Sequence, residues 1–246
     1  MRAILMYHSI DPSGSAISID EAAFRAHVAF LASGAVRVVP LETLAAGDAP
    51  DNAVALTFDD AFTNFASLAW PLLRQHNLPA TLYVVTRHPG TNAWRGKDAA
   101  GIPTMPLMDW DAVGRVAQEG VALGAHGRTH PNLRTLDDAA LQDELAGSAD
   151  DLEQRTGKRP TSFAYPYGGV TEHIAETASR TFTLGLTTEL RPLGASERPM
   201  LLPRLDSFYL RDAGRLESWG TPSLGRYLTL RGGLRRLRST LTSIRK

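Results

Sequence analysis

The sequence predicts an α/β fold built on a parallel sheet or barrel, and three observations lead there. Strand-like and helical patterns alternate about seven times with short connections, which implies right-handed βαβ units. The clearest strand, Ala53-Val54-Ala55-Leu56-Thr57-Phe58, is a near-continuous apolar run rather than an alternating one, as a strand covered on both faces requires. No repeat, low-complexity tract or linker interrupts the pattern before Arg191, so one domain is the expectation for the 246 residues.

Taken in order, residues 3–7 read as the first strand, running into His8. Ser18-Ile19-Asp20-Glu21 matches a capping box with Ser18 as the cap, and Phe24, Val28 and Leu31 then recur at helical spacing until Gly34. Residues 35–39 form a short strand, and 41–46 a short helix closed by Gly47. The strand 53–58 is followed by a helix from about Asn64 to His76 and a strand over 79–85, rich in β-branched and aromatic residues. The loop 86–108 carries Gly90, Trp94, Gly96, Gly101, Pro103 and Pro106, and its length points to a binding or lid role. Then come a helix over 110–119, a strand over 121–125, and a helix over 136–156 entered through Asp137 and Asp138. A strand over 161–164, a helix over 171–179 and a strand over 182–186 complete the series.

Composition removes several function classes. Apolar content of 43% and charged content of 21% are those of an ordinary globular protein. The absence of cysteine excludes disulfides and thiolate metal sites, so any metal must be held by His, Asp and Glu. No run approaches the roughly 20 apolar residues of a membrane-spanning helix. The apolar N-terminus is too short for a signal peptide, so the sequence reads as cytoplasmic.

Three strand ends carry groups with chemical potential. Asp59 and Asp60 end the strand 53–58, where two adjacent carboxylates are costly unless a cation or donors compensate them; a strand-ending turn is the simpler alternative. His126 and His130 follow the strand 121–125 at a spacing that suits two imidazoles on one metal, although Pro131 limits any helix there to a single turn. With one Asp they would make a three-ligand set, open to water and substrate, for zinc or another divalent ion. Tyr165-Pro166-Tyr167-Gly168-Gly169 follows the strand 161–164. It is either a Pro/Gly turn or, beside a metal, a source of an oxyanion donor from the Tyr167 N–H.

Thr57-Phe58-Asp59-Asp60, His126-x-x-x-His130 and Phe163-Ala164-Tyr165-Pro166-Tyr167-Gly168 resemble, in order, the first three motifs of the polysaccharide deacetylases, carbohydrate esterase family four. The resemblance covers roughly residues 1–210 and implies a distorted (β/α)7-type barrel of parallel strands, with residues 211–246 as a basic amphipathic extension. It implies Asp60, His126 and His130 as metal ligands and Asp59 as the general base. The metal would be divalent, zinc foremost, with cobalt, nickel or iron fitting the same ligands. The family's usual C-terminal acid is absent, because the last histidine is His173. The opening Leu5-Met6-Tyr7-His8-Ser9 instead resembles the permuted branch containing the poly-N-acetylglucosamine deacetylases, which makes His8 the candidate acid. Ala61 replaces a common Gly, and Gly127 replaces a Ser or Thr that would brace the turn. The Arg of the third motif is missing as well, and Arg204 in Leu202-Pro203-Arg204-Leu205-Asp206 is the candidate substitute.

The activity so implied is hydrolysis of the N-acetyl group of an amino sugar in a glycan or a glycan precursor, including a lipid-linked one. A catalytically silent barrel that binds a glycan or a partner, or an amidase of the same fold acting on non-sugar amides, are the alternatives. The zero net charge conceals an asymmetry: from Gly225 onward there are seven basic residues and no acid, against a formal −7 for the rest. Leu230, Leu234, Leu237, Leu241 and Ile244 make one apolar stripe among those arginines. The stripe either packs on the barrel or lies on an anionic membrane, as a peripheral contact at its inner face. An acidic main body argues against nucleic acid as a partner.

Overall fold

The computed structural model describes residues 1–94 and 101–244, with side chains of the C-terminal helix described as far as Leu237. Gly96 of the long loop, Arg245 and Lys246, and the side chains of Arg238, Leu241 and Ile244 lie outside the described residues. In chain order the strands are β1 (Arg2–Tyr7), β2 (Ser9–Ile10), β3 (Ser18–Ile19), β4 (Arg37–Val38), β5 (Ala53–Phe58), β6 (Thr81–Val84), β7 (Ala122–Ala125), β8 (Ser162–Ala164), β9 (Leu184–Leu186) and β10 (Leu205–Asp206). The α-helices are α1 (Glu21–Ala32), α2 (Leu41–Ala46), α3 (Trp70–Gln75), α4 (Trp110–Gln118), α5 (Asp138–Thr156), α6 (Glu172–Ser179) and α7 (Pro222–Ile244).

All the strands except β2 and β3 join one parallel sheet in the order β10-β1-β5-β6-β7-β8-β9, with β4 beside the start of β5. The sheet curls until a single segment joins its two ends. Leu202 bridges Leu186 of β9, and Leu205 in the same segment pairs with Leu5 of β1. The result is the distorted (β/α)7-type barrel expected from the sequence, in a single domain.

The two-residue period of β5 sorts its side chains between the two faces. Val54, Leu56 and Phe58 join Ala3, Leu5 and Tyr7 of β1 in the large apolar cluster beneath the helices. Ala53 and Ala55 turn into the barrel with Ile4, Tyr83, Ala164 and Leu186. On β5 the inward residues are small and the outward ones large, so the strand leaves room inside the barrel while the helices still find a deep surface to bury. Tyr7 and Phe58, paired across β1 and β5, stack at 5.0 Å, and Phe24 meets the Tyr7 ring edge-on at 5.6 Å. Truncating Phe58 to Ala there would cost about 3–5 kcal/mol.

Two local expectations change. The cap of α1 is Asp20, whose side chain accepts from the Ala23 N–H at 2.8 Å. Ser18 is held elsewhere: it pairs with Ser9 as part of β3, and its hydroxyl donates to Asp11 at 2.7 Å. The predicted helix after β5 opens with one π-helical turn, Phe65–Ala69, before α3. Pro71, early in α3, has no N–H to return to the preceding turn, and the wider turn accommodates that. Beyond the barrel, Leu216 and two residues of α7, Leu224 and Leu228, join the same apolar cluster as β1 and β5. Among the described residues no helix is long and apolar enough to cross a membrane.

Candidate metal centre and active site

Register places the three strand-end motifs on one rim. The Asp59 N–H donates to the Tyr7 carbonyl at 2.9 Å, which sets Asp59 beside His8, and the His126 N–H donates to the Val84 carbonyl at 3.0 Å. After β5 the chain turns sharply through two left-handed residues, Asp60 (φ 70°) and Ala61 (φ 57°). Each costs roughly 1–2 kcal/mol for a residue with a Cβ, so a Gly at position 61 would be the cheaper choice. That turn sends Asp60 in a different direction from Asp59, and adjacent carboxylates end in separate environments.

Asp60 is fully buried, and its Oδ1 lies 3.4 Å from the Nε2 of both His126 and His130. The His126 Nδ1 is 2.6 Å from the Ala164 carbonyl. A carbonyl only accepts, so Nδ1 carries a proton, and Nε2 is the ring atom that faces Asp60. One ligand atom from each of Asp60, His126 and His130 lies within 4.8 Å of the others. Two imidazoles and a carboxylate, buried and convergent, fit a first-row divalent cation of the zinc type.

The segment 126–130 is not the helical turn that the spacing suggested. Gly127 (φ 80°) and His130 (φ 59°) are both left-handed, and that turn, not a shared helix face, brings the imidazole rings to 4.7 Å. A Cβ on Gly127 would lie 2.8 Å from the Glu144 carboxylate. That carboxylate, from α5, accepts from the backbone N–H of Arg128 at 2.6 Å and of Thr129 at 3.1 Å, and from the Thr129 hydroxyl at 2.5 Å. The bracing absent from position 127 is thus supplied by Glu144.

Asp59 points into the barrel, where Arg204 meets it in a fork: Nη1 donates to Oδ1 at 2.7 Å and Nη2 to Oδ2 at 2.8 Å. The guanidinium is fully buried, and its Nε donates to the Thr187 carbonyl at 3.0 Å. Burial pushes the Asp59 carboxyl up, but Arg204, followed by His126 and His8, outweighs it and holds the group below the ordinary carboxylate range. The His8 Nε2 lies 3.8 Å from Oδ2 of the same carboxylate.

His8, Asp59, His126 and His130 line a cavity of about 310 Å³ whose wall also includes Tyr167, Ile102, Asp206 and Arg235. Asp206 of β10, two residues beyond Arg204, is buried, and burial raises its carboxyl, with His8 and then Arg235 opposing. Its Oδ2 is 3.5 Å from the Arg235 Nη1 of α7. Trp94, from the long loop, stacks on His130 at 4.9 Å and 29°, while the Tyr167 ring meets that imidazole edge-on at 4.7 Å. The two residues of β10 are too few for a pattern to signal Asp206, and no local pattern signals Trp94, which reaches His130 only through the tertiary fold.

Comparison with known proteins adds context to this geometry. The family profile described as "Polysaccharide deacetylase" matches residues 46–184, more than half of the chain. A putative polysaccharide deacetylase of Bacillus subtilis is 27% identical over 192 residues, 76% of this chain and 64% of that protein. A peptidoglycan-N-acetylglucosamine deacetylase of Bacillus cereus is 29% identical over 121 residues, 49% of this chain and 38% of that protein. The chain therefore spans less than two thirds of the length of these relatives. Among solved structures, the Streptococcus pyogenes deacetylase PplD in complex with acetate has a TM-score of 0.70 at 22% identity, covering 83% of this chain and 91% of that one. IcaB from Ammonifex degensii has a TM-score of 0.66 at 21% identity, covering 88% and 95%. At such identities these two structures share the fold.

Proposed function

Because the chain belongs to the polysaccharide deacetylase family, we propose that it is a metal-dependent hydrolase that removes the N-acetyl group of an amino sugar in a glycan or lipid-linked glycan precursor. The observation that carries the proposal is the convergence of Asp60, His126 and His130 beside an Asp59 clamped by Arg204. Asp60, His126 and His130 would hold the ion, zinc by donor chemistry, with cobalt, nickel or iron as substitutes. Bound there, a divalent ion would supply Lewis acidity to polarise the acetamide carbonyl and acidify a water.

The chain's own residues supply the rest. Asp59 takes the proton from the attacking water, and Arg204 keeps that carboxylate ionised and aimed. The backbone N–H of Tyr167 donates to the oxyanion that forms on the acetamide carbon. His8, 3.8 Å from Asp59 and lining the same cavity as Asp206, gives the leaving amine its proton when the C–N bond breaks. Trp94 and Tyr167 flank His130 and offer flat apolar faces to a sugar ring. Residues 1–210 form the catalytic barrel in this reading, and residues 211–246 an extension.

The test is release of free acetate from N-acetylhexosamine oligomers. Acetate appears with the metal-loaded protein, stops on chelation and returns when the metal is restored. A metal-loaded protein that is inert toward these sugars sinks the reading, and turnover of non-sugar amides alone replaces it with an amidase.

A further inference from the structure

The exposed large apolar side chains among the described residues are Leu230, Leu234 and Leu237 of α7, together with Tyr167 at the rim of the catalytic cavity. The three leucines are 64%, 44% and 63% exposed. They are the described members of the stripe seen in the sequence, and the structure shows that α7 is docked by a different face. Leu224 and Leu228 are buried, and the Tyr227 hydroxyl donates to the Tyr209 carbonyl at 3.0 Å. Gly232 rides on the Leu190 carbonyl, where a Cβ would come within 2.8 Å. Arg235 then reaches Asp206 inside the catalytic cavity. At 3.6 residues per turn, positions 230, 234 and 237 cluster within about 60° of one another, roughly 130° round the helix from the mean direction of 224, 228 and 235. The helix thus has an inner face that walls the active site and an outer apolar face that the barrel leaves uncovered.

We propose that the outer face of α7 docks on an anionic lipid bilayer, and that docking holds the catalytic cavity at the membrane surface. Charge selects this occupant. From Gly225 onward the chain has seven basic residues and no acid, while the remainder carries a formal −7. An anionic surface attracts the helix and repels the body, so the encounter is oriented with α7 leading. The leucines enter the headgroup boundary while Arg226 and its neighbours stay at headgroup level. A second copy of the chain fits less well, since a leucine seam between two α7 helices would bring two sets of arginines together with no acid on either helix to offset them. The inference goes beyond the deacetylase reading and does not depend on it, because vesicle binding needs no turnover.

The test is co-sedimentation of the full chain with vesicles of phosphatidylcholine alone and of phosphatidylcholine with roughly one-third phosphatidylglycerol. The expected result is pelleting with the anionic vesicles only, weakened by added salt. The triple variant Leu230→Ser, Leu234→Ser, Leu237→Ser lowers partitioning by about tenfold or more, because three inserted side chains are lost. Its thermal transition and its acetate release from a soluble oligomer stay unchanged, since these side chains are solvent-facing and outside the cavity. Arg226→Gln with Arg236→Gln reduces the preference for anionic over neutral vesicles. Failure of the wild-type chain to pellet with anionic vesicles, or equal pelleting of the triple variant, overturns the proposal. So does a leucine-dependent dimer in lipid-free solution with no vesicle binding, which would assign the face to a second copy.

Discussion

Replacing Arg204 by Met removes a guanidinium of zero exposure from a carboxylate of 2% exposure and leaves a side chain of similar length in its place. Two charge-assisted hydrogen bonds to Asp59, at 2.7 and 2.8 Å, disappear together, as does the bond to the Thr187 carbonyl. Stranding a buried charge in this way costs about 3–5 kcal/mol. The loss has a sign in pH. Asp59 is held below its ordinary pKa of 3.8, so its pairing with Arg204 stabilises the fold above that value and ceases to do so as the pH falls through the lower folded one. The deficit of Arg204→Met is therefore largest near neutral pH and shrinks in acid, where the stranded carboxyl protonates. Urea denaturation of chelated protein at neutral and acidic pH measures it. The double variant Asp59→Asn, Arg204→Met separates charge from packing: a neutral amide removes the stranded charge, so the double variant is more stable at neutral pH than Arg204→Met alone. A deficit below about 1 kcal/mol, within the range of ordinary substitutions, or a double variant no more stable than the single one, refutes this reasoning.

Three further outcomes follow from the geometry. Gly127→Ala puts a Cβ 2.8 Å from the Glu144 carboxylate at a φ of 80°, and should cost about 1–3 kcal/mol in denaturant titration together with weaker metal binding. Trp94→Ala uncovers His130 and should lower metal affinity by roughly 10-fold, read by competition with a chromogenic chelator. Asp206→Asn removes the buried carboxylate next to His8; it should lower kcat by about 10²-fold or more while leaving metal content unchanged.

Much of the fold was legible because β5 announces itself twice, by its apolar run and by the two carboxylates that end it. The metal group was legible for a related reason: each ligand lies in the turn that leaves the C-terminal end of a strand, β5 or β7, and parallel strands bring those ends together. Local competition hid the rest. Ser18 and Asp20 are both good caps, and only the pairing of Ser18 with Ser9 and its hydrogen bond to Asp11 decide for Asp20. The closing strand β10 is two residues long, too short for any periodicity, so Asp206 went unassigned although Arg204 beside it was singled out. In the tail, the stripe at 230, 234 and 237 was visible as an amphipathic pattern. That Leu224, Leu228 and Gly232 form the docked face could not be read, because the surface they meet comes from Leu190, Tyr209 and the rest of the barrel core.

The central claim divides two adjacent carboxylates into two jobs, and one paired measurement tests it directly: metal content and acetate release of Asp59→Asn beside Asp60→Asn. Asp60→Asn should lose both the metal and the activity, whereas Asp59→Asn should keep the metal and lose turnover by about 10²-fold or more. Full activity in Asp59→Asn, or undiminished metal binding in Asp60→Asn, would contradict the assignment.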